Sequence, residues 1–208
     1  MTENARAALE HLRDPSRFQW YLIPLLLLVI YVYAAEVERR NWNVFFAGLA
    51  LWGMDWFNEI WNALVFHFTQ RAPAWGAGGD SAFQILIGLN AEICLMFAVM
   101  GVAAAKLLPP RGTRLLGIPG RWLFVLLNSL ACVGVEVLLH RAGVLTWDWP
   151  WWQEGFPFLI LLIGYAPFFV VCAVVHDLPR VRAKAAVVSA LFAIDAAALA
   201  AFGALGWL

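Results

Sequence analysis

The chain has 208 residues, of which 63% are hydrophobic and only 13% are charged. Soluble domains are roughly half apolar and one quarter charged, and a soluble fold of this size could not bury so much apolar surface. Lys plus Arg and Asp plus Glu are equal at 14 each, so the net charge indicates no nucleic-acid partner. The composition therefore predicts an integral membrane protein, with membrane lipid as its surroundings.

Six apolar segments of the sequence are long enough to cross a bilayer, which takes about 20 residues of helix. Helices are expected because each backbone group in hydrocarbon must be hydrogen-bonded within its own segment. The fold class predicted is all-α, a polytopic bundle of six transmembrane helices in one domain. It follows an N-terminal tail or short interfacial helix, residues 1–17. In chain order the predicted helices cover residues 18–35, 42–69, 81–105, 121–141, 156–175 and 185–208.

Basic residues near the helix ends predict the orientation, because loops rich in Lys and Arg stay in the cytoplasm. The loops after the second and fourth segments carry only Arg71 and Arg141. We therefore predict a multi-pass protein of the cell (inner, or plasma) membrane with both termini on the outer side, although three arginines in the N-terminal tail weigh against it. The loops after the first, third and fifth segments carry Arg39, Arg40, Lys106, Arg111, Arg114, Arg121, Arg180, Arg182 and Lys184.

Ionisable residues inside the apolar segments carry the functional argument. A charge at the bilayer centre costs at least about 2.5 kcal/mol, so such a residue is by default functional and faces the bundle interior. Asp55, Glu59 and Asn62 are spaced i, i+4 and i+7 and so share one face of the second helix. In the fourth helix Glu136 and His140 form an i, i+4 pair.

Depth predicts which of these residues meet. At 1.5 Å per residue, Glu59, Glu92 and Glu136 lie about 10–17 Å from helix ends on one side of the membrane. We therefore expect these three carboxyl groups to converge, with His67 and His140 nearer the surface. The predicted catalytic residues are Asp55, Glu59, Glu92, Glu136 and His140, and the predicted substrate-binding residues are Asn62, Asn90, Trp52, Trp56, Trp147, Trp149 and Trp151.

The favoured function is acid–base chemistry on a lipid or isoprenoid-type apolar substrate, as in an isomerase, cyclase or hydratase. One buried carboxyl donates a proton while a second takes one back. The chain is rich in Trp, with 12 residues, and Trp faces stabilise a passing carbocation. This inventory resembles that of small integral-membrane terpene cyclases, which also place acidic residues among aromatic ones on few helices. The resemblance lies in the inventory and includes no shared motif.

Several alternatives stay open. A divalent metal, which the favoured chemistry does not require, would be held by Glu59, Glu92, Glu136, His140 and His67. Buried carboxylates also suit a proton- or cation-coupled transporter or channel, or an accessory subunit that uses its polar face against a partner membrane protein or a second copy of the chain. The same polar residues, and Asp195 in the sixth segment, could instead only hydrogen-bond helices together, at about 0.6 to 2 kcal/mol each.

Overall fold

The computed structural model describes residues 1–78 and 83–208, and it is mostly helical. The helical fold class is confirmed, apart from two short antiparallel hairpins. A 3-10 turn covers Pro15–Arg17, and a π-helical turn covers Ile160–Tyr165 directly before α6. The α-helices are α1 (Glu3–Glu10), α2 (Leu22–Glu38), α3 (Trp42–Thr69), α4 (Ala91–Leu107), α5 (Gly120–Arg141), α6 (Ala166–Asp177) and α7 (Val181–Ala204). The hairpins pair β1 (Gln84–Leu86) with β2 (Leu89–Asn90) and β3 (Arg114–Leu115) with β4 (Ile118–Pro119).

Three helical stretches of the described chain are long and apolar enough to cross a membrane, namely Gly120–Arg141, Ile160–Asp177 and Val181–Ala204. By contrast, α2 and α4 have 17 residues each, which corresponds to about 25 Å against a hydrocarbon core of about 30 Å. A membrane location is therefore supported by the helices themselves. The presence of six spans stays a prediction.

The predicted start of the third helix was wrong. Positions 81 and 82 lie outside the described residues, and the chain from Gln84 to Asn90 forms the β1–β2 hairpin instead of a helix. Helix α4 begins at Ala91 because the side chain of Asn90 caps it, accepting a hydrogen bond from the Ile93 amide at 2.8 Å. Glu92 consequently lies in the first turn of α4 rather than deep in the bundle.

Helix α3 is the central helix and packs against α4, α6 and α7. Its approach to α4 is closest where Gly48 faces Gly101. A Cβ atom on Gly101 would lie only 2.4 Å from the Gly48 carbonyl oxygen. Such glycine contacts let two helix backbones pack directly against each other, as is common between membrane helices.

The end at which α3 and α5 finish and α4 begins is called the site end below. At the opposite end the buried Glu36 carboxylate contacts the exposed Lys106 at 2.6 Å and accepts a hydrogen bond from Asn41 at 2.8 Å. Between the ends, α2 to α6 enclose an apolar core that includes Leu51, Val102, Phe124, Phe168 and Phe169.

Candidate functional site

A small cavity lies just inside the site end of the bundle, with a volume of about 60 Å³. Its walls come from α3, α4, α5 and the π-helical turn, and its roof comes from the loops that follow α3 and α5. At roughly 10–15 Å³ for each enclosed water, it has room for about four to six water-sized groups. Its lining includes Asp55, Asn58, Glu59, Trp75, Gly88, Met96, Phe97, Glu136, Trp152, Tyr165 and Phe168.

Three carboxyl side chains reach this cavity, from Asp55, Glu59 and Glu136, and all three residues are at most 5% exposed. Two buried carboxyl oxygens, Asp55 Oδ2 and Glu59 Oε2, have no hydrogen-bond partner among the described residues. Buried carboxyl oxygens in native proteins nearly always have a partner. The unpartnered pair in a cavity of this size therefore suits a site that receives water or the polar or reactive part of a ligand.

Glu136 differs from the other two carboxyls because it is surrounded by donors. Its Oε1 accepts hydrogen bonds from the indole nitrogens of Trp147 at 3.0 Å and Trp152 at 3.4 Å. A carboxyl oxygen accepts hydrogen bonds, so the two converging indole donors fix the orientation of the Glu136 side chain.

The roof of the cavity is fixed to α3 by a glutamate, an asparagine and a glycine. The Trp75 indole nitrogen donates to Glu59 Oε1 at 3.0 Å, and Asn62 donates to the Trp75 carbonyl at 2.7 Å while accepting from the Ala74 amide at 2.7 Å. A Cβ atom on Gly88 would lie 2.3 Å from Asn62 Nδ2 and 2.8 Å from Glu59 Oε2. Asn62 thus holds the loop that forms the roof. Only glycine fits at position 88, so Gly88 leaves the space of the cavity free.

Asn58 closes the site on its α6 side. Pro167 has no N–H, so the carbonyl of Ile163, four residues earlier, loses its helical partner. The Asn58 amide nitrogen donates to this carbonyl at 3.0 Å and to that of Gly164 at 3.1 Å. The π-helical turn is thereby tied to α3, beside the cavity that Tyr165 lines. Single π-helical turns within helices occur frequently at functional sites.

We expect Asn58→Leu to destabilise the protein by about 1–3 kcal/mol, because it removes the side-chain donor of the Ile163 carbonyl, which Pro167 leaves without an α-helical partner. Unfolding by sodium dodecyl sulfate in mixed micelles measures this change. Asn128→Leu is the matched control, since Asn128 donates at 2.8 Å to the Phe124 carbonyl of its own helix, which the α5 backbone also satisfies. Equal unfolding of the two variants would contradict the role given to Asn58.

Glu92 was predicted to join the carboxyl cluster, and the structure places it elsewhere. Because α4 starts at Ala91, Glu92 lies at the helix terminus, where Tyr21 at the start of α2 donates a hydrogen bond to it. It does not line the cavity. The neighbouring Asn90, predicted to bind substrate, acts instead as the cap of α4.

The predicted histidines also lie outside the cavity. His140 stacks on Trp147 with ring centroids 4.2 Å apart, and its Nδ1 is 3.0 Å from the Leu145 carbonyl. Trp147 thus contacts both residues, by stacking on His140 and by its hydrogen bond to Glu136. His67 stacks on Trp207 near the end of the chain.

The predicted metal-ligand set is not assembled. Within residues 1–78 and 83–208, no three His, Cys, Asp or Glu side chains lie in a group that could hold a metal ion. Glu92 is hydrogen-bonded to Tyr21 at the start of α4, and His67 stacks on Trp207. His140 stacks on Trp147 and does not line the cavity.

The tryptophans predicted to bind substrate lie in several different places, and none of them lines the cavity. Trp147 reaches the site by its hydrogen bond to Glu136, whereas Trp52 lies near α7, with its indole nitrogen 3.4 Å from the Cys94 sulfur and its ring 5.8 Å from that of Phe192. Trp56 packs in the same region, against the Ile60–Leu89 apolar cluster. Trp149 and Trp151 pack against each other in the loop after α5, where Arg71 lies 4.9 Å above the Trp149 ring.

Several site residues were missed by reasoning from the sequence, namely Asn58, Trp75, Gly88, Trp152 and Tyr165. Trp75 and Trp152 stack with centroids 5.1 Å apart although they come from different loops. Asn58 was seen only as a neighbour of the polar face of α3. Pro167 was the available signal for it, because a proline in an apolar segment needs a donor for the carbonyl four residues earlier.

The loops over the site are themselves held together by polar contacts. Asp148 accepts hydrogen bonds at 2.8 Å from both Thr2 and Asn4, so α1 is bound to the loop after α5. At the exposed edge of that loop, the hydrogen bond from Arg141 lowers the pKa of Glu154 below its ordinary value. This exposed ion pair contributes little to stability. The contacts of Asp148, by contrast, join α1 to one of the two loops that form the roof.

Residues 2–204 match the model of an uncharacterized membrane protein family, so the match extends from α1 to α7. A protein of Archaeoglobus fulgidus described as uncharacterized is 54% identical over 209 residues, covering 100% of this chain and 99% of that protein. A second A. fulgidus protein, described in the same way, is 47% identical over 53 residues, which are 25% of this chain and 95% of its own length. No solved structure matches the chain.

Proposed function

The chain belongs to an uncharacterized membrane protein family, and we propose that it is an integral membrane enzyme that isomerises or cyclises the unsaturated end of a lipid or isoprenoid-type substrate by proton transfer. One observation carries the proposal. Asp55 and Glu59 on α3 and Glu136 on α5 converge on a single small cavity lined by aromatic rings.

The different hydrogen bonds of the three carboxyls support two opposite roles. Carboxyl groups held in different environments are suited to act as acid and base in the same reaction. In the proposed reaction the Asp55–Glu59 pair donates a proton to one carbon of a C=C bond, and Glu136, oriented by its donors, removes a proton from a carbon near the cation. One proton enters and one leaves, so the double bond shifts, or a ring closes, without a co-reactant.

The aromatic lining suits the cation that such a reaction forms. Trp75 and Trp152 both border the cavity, together with Phe97, Tyr165 and Phe168. The negative face of an aromatic ring attracts a cation within about 6 Å of its centroid, most strongly for Trp. A small cavity lined mainly by apolar side chains also keeps bulk water away from the cation. Water would otherwise add to the cation and give an alcohol.

The size of the cavity limits what enters it. About 60 Å³ is far below the roughly 300–1,000 Å³ of a pocket that encloses a whole drug-sized ligand. It suits a few carbon atoms, such as the branched end of an isoprenoid. Met96 lines the cavity and is 46% exposed on α4. The branched end of the lipid would therefore enter the cavity past Met96, from the side of the bundle, while the rest of the lipid remained in the bilayer.

Chemistry is favoured over transport by what lies beyond the cavity. On the side away from the site end, Phe97 and Phe168 border it, and their rings pack edge to face at 5.3 Å in the apolar core. A proton or cation carrier needs polar groups or water along its path to the opposite end. The apolar core supports an acid–base centre that opens to lipid.

Deuterium labelling tests the proposal. Proteoliposomes made with the total lipid extract of the native cells are incubated in heavy water, and each lipid is examined by mass spectrometry. We expect the wild-type protein to place deuterium on carbon in one unsaturated lipid. Glu59→Gln should lower this incorporation at least about 100-fold, in line with the usual contribution of general acid–base catalysis.

The variant preserves the fold because glutamine Oε1 still accepts from Trp75. Glu38→Gln is the matched control, since Glu38 is an exposed glutamate at the opposite end, and it should label lipid at the wild-type rate. Proton or cation flux in the same proteoliposomes without carbon-bound label would overturn the proposal in favour of a carrier. Neither label nor flux, with constant copurification of another membrane protein, would overturn it in favour of an accessory subunit.

A further inference from the structure

A second concavity lies at the opposite end of the bundle, between α5 and α6, with a volume of about 450 Å³. It is separate from the carboxyl cavity and shares none of its lining residues. Its polar part is formed by Arg111, Arg121 and Asp177, and its apolar part includes Trp122, Val125, Val170 and Val174. It is called the arginine groove below.

The two arginines of the groove share one carboxylate. Arg121 Nη2 is 2.9 Å from Asp177 Oδ1, and Arg111 Nε is 3.0 Å from Asp177 Oδ2. Arg121 Nε and Nη1 are buried and have no hydrogen-bond partner among the described residues. A guanidinium has five N–H donors in a planar fork, and here most of those on Arg121 lack an acceptor.

The basic side chains near the groove carry more positive charge than Asp177 neutralises. Lys184 is 1% exposed and donates to the carbonyls of Val175 and His176 at the end of α6, with the first bond at 2.8 Å. His176 also contacts Asp177, through Nδ1 at 3.0 Å. Arg111, Arg121 and His176 thus all contact the one carboxylate of Asp177, and the unused donors of Arg121 are complementary to an anion with several oxygens.

The apolar side of the groove opens to the surface that faces lipid. Trp122 is 62% exposed and Val174 is 57% exposed, next to the buried Val125. A hydrocarbon chain lying on these side chains would have its head at Arg121. Basic pockets between membrane helices of this kind bind phosphate-bearing lipid heads.

We propose that the arginine groove binds one anionic phospholipid, with its phosphate at Arg121 and Arg111 and its chain along Trp122 and Val174. The shape distinguishes this ligand from free inorganic phosphate, which would use the arginines and leave the apolar wall empty. The site is independent of the carboxyl cavity and of the chemistry proposed for it.

Lipid binding is measured by native mass spectrometry of the detergent-solubilised protein, titrated with phosphatidylglycerol and with phosphatidylcholine of the same acyl chains. We expect one phosphatidylglycerol to bind at least about fivefold more tightly than phosphatidylcholine, the effect of about one basic residue at a membrane surface. Arg121→Gln should remove this preference. Arg182→Gln, an exposed arginine at the same end, should keep it.

The remaining outcomes also decide the matter. Equal binding of the two wild-type lipids would overturn the site, whatever the variants do. Inorganic phosphate that competes with phosphatidylglycerol at equal concentration would overturn the lipid as ligand. Should Arg121→Gln fail to fold, Arg111→Gln replaces it, because the Arg111 side chain is 68% exposed and its loss leaves the Arg121–Asp177 pair in place.

Discussion

Glu136→Gln is expected to lower deuterium incorporation into lipid by about 10²- to 10⁴-fold, the usual range for loss of a general acid or base. Glutamine keeps the size of glutamate and an oxygen that accepts from Trp147 and Trp152, so the cavity should stay intact. What it loses is the ability to take a proton. Initial rates in heavy water, at equal protein per liposome, measure the effect.

Glu92→Gln is the decisive control for this experiment. Glu92 also lies in an apolar segment, yet it is bonded to Tyr21 at the helix terminus and does not line the cavity. We expect it to label lipid within about twofold of the wild-type rate. Trp147→Phe removes one hydrogen-bond donor from Glu136. Its labelling rate should be about tenfold below that of the wild type, between the rates of Glu92→Gln and Glu136→Gln. Similar losses in Glu92→Gln and Glu136→Gln would show that the cavity is not the reaction site.

The contrast between Glu92 and Glu136 also shows how far the sequence determines the site. The spacing of Asp55 and Glu59 and the position of Glu136 on its own helix were sufficient to predict that these carboxyls converge. The prediction for Glu92 was wrong because its depth was measured from a helix start at residue 81, whereas α4 begins at Ala91. The segment FQILIGL is apolar enough to read as helix, but Gly88 and the capping Asn90 make it a hairpin. A local change of a few residues moved one carboxyl out of the site.

The aromatic part of the site was less predictable for a different reason. Helical periodicity places side chains on a face, but it carries no information about loops. Trp75 and Trp152 lie in separate loops and meet only because Asn62 and Glu59 hold the first loop while Glu136 bonds to the second. Trp52 and Trp56 were predicted to bind substrate, but both pack toward α7.

The glycine contact between α3 and α4 leaves no room for a side chain, so Gly101→Ala is expected to lower the free energy of unfolding by about 2–3 kcal/mol. Overpacking usually costs about 1–3 kcal/mol, and the upper part applies here because the clash is with backbone. The new Cβ would lie 2.4 Å from the Gly48 carbonyl oxygen and 3.1 Å from its Cα. Neither atom can rotate away, so the two helices must separate.

Two further glycine variants isolate this effect under the same dodecyl sulfate titration. In Gly134→Ala the new Cβ meets nothing within 4 Å, so the variant should be as stable as the wild type or gain up to about 1 kcal/mol from helix propensity. In Gly48→Ala two of the three nearest atoms belong to the side chains of Tyr33 and Val102, at 3.1 Å, and they can yield in part. The expected order of stability is Gly134→Ala, then Gly48→Ala, then Gly101→Ala. Any other order would mean that α3 and α4 are not held together at this glycine contact. The contact lies about two helical turns from Asp55 on α3, so it also helps to position the α3 side of the cavity.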